Sequence, residues 1–137
     1  MPANKYSQRL QRGSDYRDRA AVLAHLGYRS YRGYLDSYLW ATIRARVMKE
    51  KGPECYLCTG RATEVHHNRY GLDDMMGIKV DNLFPLCRAC HRAIEFTGDR
   101  KNTMNKVRKR FQELAKKKVE DFPRLWPKFD RNSLKIL

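Results

Sequence analysis

Two Cys-x-x-Cys pairs, Cys55/Cys58 and Cys87/Cys90, bracket a His66-His67 pair, and His91 follows directly on the last cysteine. Each two-residue spacer lets both sulfurs of a knuckle turn toward one ion, with backbone amides facing the thiolates. Two such knuckles, with 28 residues between them, predict a closed tetrahedral zinc site with Cys55, Cys58, Cys87 and Cys90 as ligands. A redox dithiol needs only one such pair and a thioredoxin-like pattern around it. Four thiolates leave zinc no open position, so this ion clamps the module and does no chemistry. The histidines are left over for other work.

The elements around them set their directions. Residues 62–67 read as a strand, residues 68–81 as a loop holding Gly71 and Gly77, and residues 83–86 as a second short strand. A helix from Arg88 to about Phe96 ends near Gly98. Neighbours on a strand point to opposite faces, so His66 and His67 do different work. On the helix, Cys90 and His91 are rotated by about 100°, so one faces the sulfur site and the other faces the hairpin. His66 and His91 then converge on a second metal ion that keeps positions open for water and phosphate oxygens. Glu95 lies one turn beyond His91 and can add a ligand. His67 stays close by, free to act as a base.

The flanks supply the rest. A helix is predicted from about Ser37 to Lys51, with Leu39, Ile43 and Val47 every four residues, Trp40 widening the stripe and Gly52-Pro53 stopping it. A second spans about Thr103 to Val119, with Met104, Val107, Phe111 and Leu114 as its apolar stripe. Its Lys106, Arg108, Lys109, Arg110 and Lys116-Lys117-Lys118 form a broad basic surface. Before these, Ser14 is the expected cap of a short helix ending at Leu26-Gly27. The Tyr/Arg-rich stretch around Tyr16, Tyr28 and Tyr31 can stack on bases or pack inward. The Phe122–Pro127 tail is expected to fold back on the domain.

Net charge is +14, from 29 Lys and Arg against 15 Asp and Glu. It divides as +4 over residues 1–36, +2 over 37–98 and +8 over 99–137. These are the expected segments: a basic N-terminal arm, the metal module with its preceding helix, and a basic C-terminal helix and tail. Such a balance points to a polyanion, usually nucleic acid. No run of ~18 apolar residues exists, which excludes a transmembrane span. The polar opening, without a secretory signal, and the paired cysteines make a reducing, cytoplasmic setting the expectation.

His66-His67, Asn82 fifteen residues after His67, and His91 nine after Asn82 resemble the HNH endonucleases. The framing cysteine pairs resemble the zinc-bearing branch of that family, found in phage, restriction and mobile-element nucleases. Tyr31 to Trp40 also looks like what precedes the module, and the likeness covers roughly residues 31–96. It departs from the family where Asn68-Arg69-Tyr70 replaces an apolar residue and a proline. The fold it implies is α+β: a small ββα-metal (HNH, His-Me finger) module stapled by a four-cysteine zinc site, with flanking helices. By similarity His66 and His91 ligate the catalytic ion and His67 is the general base. Asn82 holds the loop and orients His67, and Glu95 stands where some relatives place a further ligand. The implied reaction is hydrolysis of DNA phosphodiesters with one divalent ion, Mg²⁺ or Mn²⁺, leaving 5′-phosphate and 3′-hydroxyl ends. DNA is the expected partner, gripped mainly through its backbone with steep salt dependence. The rivals are a non-catalytic zinc-dependent nucleic-acid-binding module and an RNA-binding zinc-knuckle protein.

Overall fold

The computed structural model describes residues 5–122, so the tail beyond Phe122 lies outside the described residues. The chain begins with a helical hairpin, α1 (Lys5–Arg12) and α2 (Tyr16–Leu26), joined at Gly13 with φ +54°. Asp15, not Ser14, caps α2, accepting from the Asp18 backbone N–H at 2.7 Å. Ser14 is taken by another partner: its N–H and hydroxyl both donate to the Asp18 carboxylate, at 2.9 and 3.0 Å. Arg12 closes the same buried carboxylate with two bonds of 2.9 Å, which holds Asp18 well below the usual carboxylate range. Gly27 then ends α2 in the left-handed conformation, φ +88°.

Two capped helices follow, α3 (Tyr31–Leu35) behind Ser30 and α4 (Tyr38–Lys51) behind Ser37. The tyrosines of this region mostly pack inward. Tyr34 is buried and donates to the Met75 carbonyl at 2.7 Å, and Tyr28 and Tyr31 pack against the core beside it. Tyr38, at 85% exposure, is the exception. Leu10, Val22, Leu23 and Tyr34 thus share one core with Trp40, Ile43 and Val47 of α4.

A two-stranded antiparallel sheet follows, β1 (Glu64–His67) against β2 (Leu83–Leu86). Its register pairs Glu64 with Leu86, Val65 with Pro85, His66 with Phe84 and His67 with Leu83. Alternation then sorts the sheet between two cores. Val65 and Leu83 belong to the core of α2–α4, while Phe84 and Leu86 belong to a second core. That second core is built with Ile94 of α6 (Arg88–Glu95) and Val107, Phe111 and Ala115 of α7 (Met104–Asp121). Between the two strands, the expected loop contains a one-turn helix, α5 (Leu72–Met75), whose Asp74 carboxylate accepts from the Gly71 N–H at 3.0 Å. A small hairpin, β3 (Phe96–Thr97) and β4 (Arg100–Lys101), turns at Gly98 and joins α6 to α7.

Thr103 caps α7, but the helix is less uniformly basic outside than its sequence suggests. Arg108 and Lys118 are buried: Lys118 Nζ donates to the Cys55 carbonyl at 2.7 Å, and Arg108 Nη2 to Asn105 Oδ1 at 2.7 Å. Lys106, Lys109, Lys116 and Lys117 stay exposed. No helix among the described residues is long and apolar enough to cross a membrane.

Gly13 is the tightest backbone contact in this arrangement. A Cβ there would lie 1.9 Å from the Gly71 nitrogen, and the Gly13 carbonyl accepts from Tyr70 N–H at 2.8 Å. At Gly27 nothing lies within 4 Å of such a Cβ. Gly27→Ala should therefore cost only the left-handed strain, about 1–2 kcal/mol. Gly13→Ala should cost about 2 kcal/mol more, from overpacking. Urea denaturation of both variants checks the order; equal losses would contradict the close approach.

Candidate functional site

The two knuckles meet at the base of the second core. Cys55, Cys58, Cys87 and Cys90 are all free thiols, and their sulfurs lie within 4.8 Å of one another. Cys58 Sγ and Cys87 Sγ are 3.7 Å apart, close to the tetrahedral edge of about 3.8 Å that follows from a Zn–S distance of ~2.3 Å. The backbone N–H groups of Leu57, Gly60 and Cys90 donate to sulfurs at 3.3–3.4 Å. Such bonds stabilise thiolates, so the donor set fits one structural metal ion, with zinc a candidate. Lys118 secures the first knuckle to α7 through the Cys55 carbonyl.

The sheet carries His66 and His67 to opposite sides. His66 faces the second core, its ring 25° from parallel with Phe111 at 5.7 Å. The first turn of α6 brings His91 to it, ring centroids 5.2 Å apart. Glu95, one turn further, points its carboxylate back between them: Oε1 is 3.6 Å from His66 Nδ1 and 3.3 Å from His91 Nε2. One ligand atom from each of His66, His91 and Glu95 falls within 4.8 Å of the other two. His66 Nδ1 is buried without a hydrogen-bond partner within 3.5 Å and faces the same gap. Two imidazoles and a carboxylate form a donor set that could hold a divalent metal ion.

Charge is distributed accordingly. Burial holds the His66 ring below its ordinary value and so keeps it neutral. Burial also works against a charged His91, but the hydrogen bonds of Glu95 and Glu64 outweigh it and raise that ring. Burial would raise Glu95 too, and the two imidazoles overcome it and keep the carboxylate ionised.

His67 faces the first core and is 2% exposed. Its ring stacks on Trp40 at 4.6 Å and on Tyr70 at 5.2 Å. Desolvation, with smaller effects from His66 and Arg19, pushes it down to about 3. Asn82 does not reach it, which corrects the expected orienting contact. The Asn82 amide donates instead to the buried Asp74 carboxylate at 3.1 Å, and its backbone carbonyl accepts from Asn68 N–H at 2.8 Å. The partner of His67 Nδ1 is the Tyr31 hydroxyl, 3.0 Å away. Tyr31 has no place in the spacing pattern of the histidines. It lies 36 residues upstream of His67, in the stretch read for base stacking or inward packing and at the start of the Tyr31–Trp40 likeness, and neither reading pointed to His67.

Both histidines open onto one cleft of about 470 Å³. Five consecutive residues, Thr63 to His67, line it, as the unpaired edge of β1 allows. Arg19, Arg32, Arg44, Arg88, Arg92 and Lys101 ring the same cleft. Arg44 reaches the Thr63 carbonyl at 2.7 Å, and Arg19 lies over the Tyr31 ring at 4.0 Å. Arg69 sits elsewhere, in a second cavity with Arg12 and Asp74, and His25 is exposed on α2 near Tyr6.

No family model, curated protein or solved structure matches this chain.

The sulfur cluster makes a direct prediction. Cys87→Ser should lose bound metal and lower the thermal midpoint by about 10 °C or more. Metal analysis alongside a thermal melt checks both readouts. Full stability in a protein without metal would contradict a structural site.

Proposed function

We propose that this chain is a metal-dependent DNA endonuclease of the HNH kind, its β1, β2 and α6 forming the ββα-metal module and zinc filling the four-cysteine cluster. The observation that carries the reading is the convergence of His66, His91 and Glu95 within 4.8 Å. This cluster opens onto the same cation-ringed cleft as a third imidazole that takes no part in it. A lone histidine pair or a lone cysteine cluster would not demand this arrangement.

The chain's own groups divide the work. Arg44, Arg88, Arg92, Arg19 and Lys101 would hold phosphates of the backbone on either side of the cleft, giving affinity with little sequence readout. In the tautomer that donates Nδ1–H to the Tyr31 hydroxyl, His67 keeps a lone pair on Nε2. That atom is buried and has no hydrogen-bond partner. Nε2 would take the proton of a water molecule whose oxygen attacks phosphorus. The P–O3′ bond breaks in line, leaving a 5′-phosphate and a 3′ oxygen that is protonated from solvent. Burial keeps His67 neutral but lowers its basicity, and the negative charge of an arriving phosphodiester would raise it again. A divalent ion at His66, His91 and Glu95, Mg²⁺ or Mn²⁺, would supply charge neutralisation at the phosphate and the departing oxygen.

Supercoiled plasmid with Mg²⁺ or Mn²⁺ tests the reaction. Wild type should nick or linearise it, and His67→Ala should be slower by about 10²–10⁴-fold. Equal rates would remove the base. Binding of duplex DNA with no cutting under any divalent ion would favour the binding module instead.

The rim cations make an independent prediction. In Arg88→Gln/Arg92→Gln, the slope of log K against log [salt] for duplex DNA should flatten by about 1–2. An unchanged slope would remove α6 from the interface.

A further inference from the structure

Glu64, His66 and Asn68 recur at a spacing of two along one extended segment. The ladder continues one residue past β1, since Asn68 N–H donates to the Asn82 carbonyl at 2.8 Å. All three side chains therefore project from one face. The outer two each meet an imidazole of the ligand cluster. Glu64 Oε1 is 2.7 Å from His91 Nδ1, and Asn68 Oδ1 is 3.1 Å from His66 Nε2.

Both of these oxygens can only accept. Each fixes a proton on the ring nitrogen it faces and leaves the other nitrogen for an ion. For His66 the nitrogen left over is Nδ1, buried without a hydrogen-bond partner and 3.6 Å from Glu95 Oε1. For His91 it is Nε2, 3.3 Å from the same oxygen. Both nitrogens face Glu95 Oε1, which takes the His91 Nε2 hydrogen bond in the ion-free site and would join the two rings around an ion placed between them. Asn68 is fully buried and uses only its side-chain oxygen, since Nδ2 has no partner.

We infer that Asn68 and Glu64 are positioning residues, which set the tautomers of His66 and His91 so that Nδ1 of one and Nε2 of the other face a single divalent ion. The inference rests on the metal-dependent reading above and adds the two residues that orient its ligands. Neither residue belongs to the ligand cluster itself.

The test uses the full chain with its sulfur site loaded with zinc. Mn²⁺ affinity is measured by calorimetry, and ring protons are assigned by long-range ¹H–¹⁵N NMR with Mg²⁺ present. Wild type should carry its proton on Nε2 of His66 and on Nδ1 of His91. Asn68→Leu and Glu64→Leu should each weaken Mn²⁺ binding by about 10–100-fold. Asn68→Asp, which keeps an acceptor oxygen and gives up only the unpartnered amide nitrogen, should retain most of the affinity. Unchanged affinity in Asn68→Leu, equal losses in Asn68→Leu and Asn68→Asp, or a proton on His66 Nδ1 would overturn the inference. Should Asn68→Leu fail to fold, the wild-type tautomers decide alone. Cleavage enters neither readout. A chain that binds Mn²⁺ this way but spares DNA keeps the inference and loses the nuclease. One that cuts DNA while its variants bind Mn²⁺ unchanged does the reverse.

Discussion

The pleat of β1 places two neighbouring imidazoles in two different interiors, and the rest of the site follows from that separation. His66 lies against Phe111 and beside His91 and Glu95 of α6, and His67 lies against Trp40 and Tyr70. A slip of one residue in the pairing of β1 with β2 would exchange them. The register is held because both faces are buried: Leu83 and Val65 must enter one core, and Phe84 and Leu86 the other. Catalysis of the proposed kind needs this division, since a ligand and a base must sit close without both binding the ion.

Each core then has its own anchor. On the His66 side, Tyr56 of the first knuckle stacks on Phe111 at 5.6 Å, and Phe111 stacks in turn on His66. Lys118 ties the far end of α7 to the same knuckle. A metal ion in the sulfur cluster would therefore stiffen the wall behind His66 while remaining outside the chemistry. On the His67 side no metal is needed. Helices α1–α4 supply a conventional apolar core, and the Tyr34 hydroxyl ties it to the Met75 carbonyl of α5. A small domain gains most from such a staple where its core is thinnest.

Much of this was legible in the sequence because it is local. Ser37 and Thr103 announce α4 and α7, and apolar spacing gives the faces they bury. Strand alternation and helical rotation brought His66, His91 and Glu95 together before any coordinates. What escaped depends on partners far apart in the chain. Tyr31 reaches His67 across 36 residues, Glu64 reaches His91 across 27, and Lys118 reaches Cys55 across 63. A lysine run looks solvated until a carbonyl and a core are placed beside one member. Asn82 misled for the opposite reason: its spacing fitted a role at His67, while the buried carboxylate of Asp74 had the stronger claim on its amide.

The most direct measurement is anomalous diffraction from crystals grown with Mn²⁺ and a short DNA duplex. The account predicts one Mn²⁺ peak bounded by His66 Nδ1, His91 Nε2 and the Glu95 carboxylate, a phosphate oxygen completing its shell, and His67 Nε2 turned toward that phosphate. A peak that includes His67, or DNA bound with its phosphates remote from this cleft, would contradict it.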